Sequence, residues 1–229
     1  MRYLARILLV ALVIPCVACA DSPRAIPTGS WNYALLINGV RAGSAVISNR
    51  KEGETYVITS ELDMDIAGMR NVSRQVVTET TAFTPVKLET SNRIKSAAGW
   101  KDIQTTALFR GAEVELRSGG RSTRVTLPGE FVLDGNYFAA KLIEGRFRTG
   151  LEIKGAIYDP SIELDALVPV TTRVVGRETV EVGGKKRALT HISQSIDVIK
   201  SADSYLDENG VMVKAVVRMM NLTVELVLE

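Results

Sequence analysis

The sequence predicts a mainly β protein: a single large curved antiparallel sheet, an open half-barrel, with one short helix covering the concave face. Three observations carry that expectation. From Trp31 onward the chain is a close succession of period-two alternations divided by glycine-rich turns, the pattern of strands with one buried face. Only Asp134 to Gly145 has convincing helical spacing in the chain that follows the N-terminal segment. No internal repeat, low-complexity tract or second-domain boundary interrupts the run, so its eleven or so strands in meander order belong to one sheet.

In chain order, Trp31, Tyr33, Leu35 and Ile37 alternate with Asn32 and Ala34, and Asn38-Gly39 is a strong two-residue hairpin signal. The return strand carries small residues (Val40, Ala42, Ser44, Val46), and Gly43 inside it marks a bend or a close backbone approach. Tyr56, Ile58, Ser60, Leu62, Met64 and Ile66 alternate with Thr59, Glu61, Asp63 and Asp65, the cleanest half-buried strand. Strand signals continue over 71–81, 85–91, 102–109, 112–117 and 121–127, with turns at Gly111 and Gly119-Gly120. They resume over 151–158, 168–182, 186–199, 204–206, 211–219 and 222–228, with turns at Gly183-Gly184 and over 207–210.

In the helix, Asp134 is the expected N-cap and Gly145 the expected left-handed terminator. Phe138, Leu142 and Ile143 share a face, with Tyr137 at its margin. Such a helix is marginal alone and must lie on a sheet. It is also too short to fill a strongly curved one. The concave surface left over is expected to be apolar and ligand-sized, lined by Trp31, Tyr33, Leu62, Met64, Tyr137, Phe138, Leu142 and Ile143. At such a lid Phe138→Ala is expected to cost about 1–3 kcal/mol, less than in a packed core.

Residues 1–19 have the make-up of a signal peptide: Arg2 and Arg6, an apolar run from Ile7 to Ile14 too short for a membrane span, then small residues. Two exits compete. Ala18-Cys19-Ala20 fits ordinary cleavage, whereas Cys16-Val17-Ala18-Cys19 resembles a lipobox with Cys19 as the acylated residue. The lipoprotein exit is favoured. Residues 20–29 then form a polar tether and 30–229 a single β-rich domain. In either case the chain is exported and faces the periplasm, as a membrane-anchored lipoprotein or, alternatively, as a soluble protein.

Both cysteines lie in the signal region, so the domain has neither a disulfide nor a reactive thiol. The chain carries 28 Lys and Arg against 26 Asp and Glu, and loss of Arg2 and Arg6 removes the excess, leaving no electrostatic support for nucleic-acid binding. Catalytic motifs are lacking: there is no Gly-x-Ser-x-Gly elbow, no paired-histidine metal motif and no phosphate loop. The single histidine, His191, reads as a surface or cross-strand residue. Asp63 and Asp65 read as solvated charges on the polar side of a strand, and 203–208 as a turn rather than a calcium loop. Trp100 fits a cap on the sheet core better than an exposed loop aromatic. No catalytic residue, metal or cofactor is expected.

Three stretches resemble a bacterial envelope domain family of unknown function. They are the opening Tyr33 to Val46 around Ile37-Asn38-Gly39-Val40-Arg41-Ala42-Gly43, the middle Leu133-Asp134-Gly135-Asn136-Tyr137-Phe138-Ala139 with Pro169 to Gly176, and the closing Tyr205-Leu206-Asp207-Glu208-Asn209-Gly210-Val211-Met212-Val213-Lys214. The resemblance implies a fold similar to the LolA/LolB lipoprotein carriers, a wider group whose members bind acyl chains or other hydrophobic ligands, and it supplies no catalytic residues. The functional expectation is a non-catalytic exported envelope protein binding a lipid, an acyl chain or a similar hydrophobic molecule, its membrane contact made through a lipid anchor. The alternative is a structural or interaction protein of the envelope with no small ligand.

Overall fold

The computed structural model describes residues 26–229 except 67, 98, 197, 198 and 220. The chain forms one sheet of fourteen strands: β1 (Gly29–Ile37), β2 (Val40–Glu52), β3 (Thr55–Ile66), β4 (Met69–Thr80), β5 (Pro85–Ser96), β6 (Gly99–Arg110), β7 (Glu113–Ser118), β8 (Arg121–Thr126), β9 (Glu152–Ile157), β10 (Val168–Val182), β11 (Lys185–Ile196), β12 (Ile199–Leu206), β13 (Met212–Met219) and β14 (Leu222–Leu228). Its one helix among the described residues, α1 (Asn136–Glu144), lies between β8 and β9.

Sequence neighbours pair antiparallel almost throughout, most of them joined by two-residue connections and the β4–β5, β9–β10 and β12–β13 pairs by longer ones. At Asn38-Gly39 both φ angles are positive, 49° and 80°, as a hairpin turn of the favoured twist requires. Two departures from the meander shape the molecule. β1 pairs with β14, from Tyr33↔Leu228 to Ile37↔Val224, which places the first and last strands side by side in the interior of the sheet. β8 and β9 remain as the two edges, so the sheet curves without closing. The connection between those edges carries α1, so the helix is delivered to the seam.

Bulges curve the strands, as extra residues sharpen the local twist. One lies between Leu35 and Leu36, opposite Gly43, where a Cβ would stand 1.9 Å from the Asp63 carbonyl oxygen. Only glycine fits there. Inward-facing residues make two clusters. The first joins β1–β3 and β9–β14 to the helix through Tyr33, Leu35, Leu62, Met64, Phe138 and Leu142. The second fills the β3–β8 wing with Tyr56, Ile58, Val77, Leu88, Phe109 and Tyr158, and Ile26, in the stretch expected as a polar tether, is buried among them.

The helix ends differ from expectation. Gly135 is the N-cap, and the Asp134 carboxylate instead accepts the Asn136 backbone amide at 2.8 Å. Gly145 has φ −76°, while Arg146 and Phe147 take the left-handed turn at 51° and 49°. A Cβ at Gly145 would sit 2.2 Å from Leu151 Cδ2, displacing the end of that side chain, and 3.2 Å from the Lys141 carbonyl oxygen. β5 and β6 also run further than their alternation indicates, to Ser96 and from Gly99, which draws Trp100 into a strand.

Candidate functional site

Most side chains expected to line a cavity are instead packed into the core. Tyr33, Leu62, Met64, Phe138, Leu142 and Ile143 are each at most 4% exposed, and Trp31 lies half-buried against the same cluster. The helix comes close enough to achieve this because β9 offers Gly155, where a Cβ would meet Phe138 Cζ at 3.0 Å. Tyr137, at the margin of the apolar face, borders open space.

That space is a cavity of about 780 Å³ at one end of the seam. Its walls come from the β4–β5 turn (Phe83, Pro85), the segment before the helix (Phe131, Val132), Tyr137 and the β9 edge (Lys154 to Ala156). Phe83 takes φ +63°, uncommon for a bulky residue, and its ring stacks on Tyr56 at 6.2 Å and meets Tyr137 edge-on at 6.1 Å. The strained turn thus delivers an aromatic to the cavity wall. Lys154, exposed and ion-paired with Glu152 at 3.3 Å, supplies a cation at the rim and Glu130 a carboxylate.

Polar groups are buried close to the aromatic wall. Glu79 is fully buried; neither carboxyl oxygen makes a hydrogen bond of full geometry, but the Asn136 carboxamide and the Asp134 carboxyl both lie within side-chain hydrogen-bonding reach of it. Burial, then the Asp134 charge, raises the Glu79 pKa, and burial raises that of Asp134 as well. Asn49 Nδ2 donates to Asn136 Oδ1 at 3.3 Å and to the Pro27 carbonyl at 2.9 Å. Sequence reasoning missed this set. The signal was present in β4, whose inward row is Asn71, Ser73, Gln75, Val77 and Glu79, mostly polar where an apolar row is the rule.

The concave surface is therefore not uniformly apolar. A second cavity of about 320 Å³ is walled by Thr90, Asn92, Thr105, Ser118 and Arg121 and bordered by the loop carrying Leu164, whose carbonyl accepts the Tyr158 hydroxyl at 2.9 Å.

The remaining sequence candidates lie elsewhere. Asp63 is held by Arg70, with Nε to Oδ1 at 2.9 Å, and that hydrogen bond lowers its pKa; Asp65 accepts the Gly68 amide at 3.1 Å. Asp207 Oδ1 accepts the amides of Asn209 and Val211, which organises the turn. His191, expected as a surface or cross-strand residue, is cross-strand: Nδ1 lies 2.8 Å from Glu178 on β10 and Nε2 2.9 Å from Asp203 on β12, over the Tyr205 ring at 4.8 Å. Trp100, expected to cap the core, is 46% exposed on the outer face, with Arg93 5.0 Å and Lys95 6.0 Å from its ring. Cys19 lies outside the described residues.

No protein-family model matches the chain, and no curated protein matches it. Among solved structures it is similar to a beta-barrel-like protein of a domain of unknown function, DUF1849, from Brucella abortus, at 12% identity and a TM-score of 0.60 over 95% of this chain and 96% of that one. It also aligns with a duf1089 family protein from Pseudomonas aeruginosa at 10% identity, over 86% and 94% of the two chains, with a TM-score of 0.37. The first likeness spans nearly both chains and shows the fold: a mainly β, β-barrel-like architecture shared with a domain of unknown function.

Proposed function

We propose that this is a non-catalytic, exported envelope protein that binds a hydrophobic ligand, a lipid or acyl chain, in the seam cavity. The observation that carries this reading is the cavity itself, whose volume of about 780 Å³ falls in the range of small-molecule sites and whose wall presents Phe83, Phe131 and Tyr137. Lys154 at the rim is placed to meet a carboxylate or phosphate head, leaving the chain against the aromatics. The LolA/LolB resemblance agrees with such a role. The signal segment supports export, and Cys19 is the residue for the lipid anchor, facing the protein to the periplasm. Ordinary cleavage to a soluble periplasmic form is the alternative.

Native mass spectrometry of the protein purified from membranes tests the reading, since it reports both acylation of Cys19 and any retained apolar molecule. Tyr137→Ala is expected to weaken binding of a fluorescent fatty acid about tenfold or more, as loss of an aromatic contact removes roughly 1.5–3 kcal/mol. Absence of probe binding to the wild type at micromolar concentration would overturn it. A second reading, an envelope interaction protein with no ligand, is favoured by exposed Trp100 flanked by Arg93 and Lys95.

A further inference from the structure

We propose that Glu79, Asp134, Asn136 and Asn49 form a binding site for a hard divalent cation of the Ca²⁺ or Mg²⁺ class at the entry to α1. The four side chains come from β4, the residues opening the helix, and β2, and three of them (Glu79, Asn49, Asn136) are at most 3% exposed. Their oxygens are poorly used. Both Glu79 oxygens, Asn49 Oδ1 and Asn136 Nδ2 make no hydrogen bond of full geometry, although Asn136 and Asp134 reach towards Glu79, and Asp134 spends Oδ1 on the Asn136 amide. Asn49 is tied into the group through its 3.3 Å bond to Asn136 Oδ1, and Asn136 in turn acts on Glu79.

No lysine or arginine is among the groups acting on either carboxyl. Two neighbouring carboxyls, Glu79 fully buried and Asp134 partly so, are unfavourable without a cation, and either a shared proton or a bound cation relieves them. The carboxamides favour the cation. A proton shared between Glu79 and Asp134 leaves Asn49 Oδ1 orphaned, whereas a cation can recruit it while the Asn136 Nδ2 amide donates to the ionised Glu79. The set offers two Glu79 oxygens, the second Asp134 oxygen and two carboxamide oxygens, with water completing the shell. With no thiol or imidazole among them, the donors suit a hard ion and not a transition metal. Only two of the ligands are carboxylates, and no cluster of three or more His, Cys, Asp and Glu occurs among the described residues. A bound divalent ion would neutralise the pair and pin β2, β4 and the helix start together close to the Tyr56–Phe83–Tyr137 wall. This stands independently of any apolar ligand.

The test uses the folded, chelator-stripped protein and Tb³⁺ as a luminescent probe, with Tyr56, the cross-strand neighbour of Glu79, as sensitiser. Saturable Tb³⁺ luminescence displaced by Ca²⁺ or Mg²⁺ is expected, with a Tm rise of roughly 5–10 °C at a hundredfold excess of cation over Kd. Glu79→Gln is expected to weaken binding at least tenfold. Asn49→Ala, which keeps both carboxylates, is expected to weaken it as well and serves should the first variant not fold. Wild-type protein with no saturable signal and no Tm shift at millimolar Ca²⁺ or Mg²⁺ would overturn the proposal in favour of a shared proton. Undiminished binding in both variants would overturn it in favour of surface carboxylates.

Discussion

His191 sits between two carboxylates, and the arrangement is structural in character. Its ring is only 13% exposed, with Glu178 on Nδ1 and Asp203 on Nε2, and Arg218 pairs with the other Asp203 oxygen. The alternation over 188–194 places the histidine on the outer face but cannot reveal that Glu178 on β10 and Asp203 on β12 flank it. Burial opposes ionisation of Asp203, but the bonds from His191 and Arg218 outweigh it, and its pKa lies below the ordinary value. The sign follows from linkage. A carboxyl with a depressed folded-state pKa stabilises the fold at every pH above the unfolded value and loses that contribution as pH falls through the folded one. Asp203→Asn is therefore expected to lower stability at neutral pH and to flatten the acid limb below about pH 4. Urea denaturation from pH 2 to 7 measures both. An unchanged acid limb would mean that the network contributes nothing.

The helix shows which elements a sequence reveals and where it stops. Phe138, Leu142 and Ile143 advertise a short apolar face, and a lone apolar face in a β protein has one place to go. The Asn38-Gly39 turn was equally legible, because its positive φ angles restrict the residues that tolerate it. β4 was not, because Asn71, Ser73, Gln75 and Glu79 point inward and Val72 and Val76 lie on the opposite face, so polarity misreports which side is buried. The cavity was misplaced for a related reason. Periodicity identifies a buried face but not whether Gly155 lets the helix settle fully against β9, which it does. With Phe138 at 0% exposure, Phe138→Ala is expected to cost about 3–5 kcal/mol, the figure for a packed aromatic, in place of the 1–3 kcal/mol of a ring bordering space. The shift in urea midpoint at constant slope measures it. A loss below about 1.5 kcal/mol would show that the helix is a loose lid after all.

At the scale of the whole molecule, the question is whether two clusters make one cooperative unit. The β4–β8 wing is the weaker candidate on its own, because part of its inner wall is Thr90, Asn92, Thr105 and Ser118 in place of aliphatic residues. Two features tie it to the rest. The β3–β4 ladder is unbroken from Thr55↔Thr80 to Ile66↔Met69, so β3 cannot leave without exposing both wings. The helical segment straddles the clusters, with Leu133 and Ala140 in the second and Phe138 and Leu142 in the first, while Phe83 packs against both. The chain's two tryptophans report on the two sides separately: Trp31 lies on β1 against the first cluster, and Trp100 on β6 in the opposite wing. Single-tryptophan proteins, Trp31→Phe and Trp100→Phe, can therefore be unfolded in urea and compared with far-ultraviolet dichroism. Each protein's fluorescence midpoint is expected to coincide with its own dichroism midpoint, because the helical segment packs into both clusters and opening either wing exposes part of it. If Trp100 instead reports a transition at lower urea than the backbone signal, the polar-walled wing opens first. The unbroken β3–β4 ladder would then be a hinge between two units and not the spine of one.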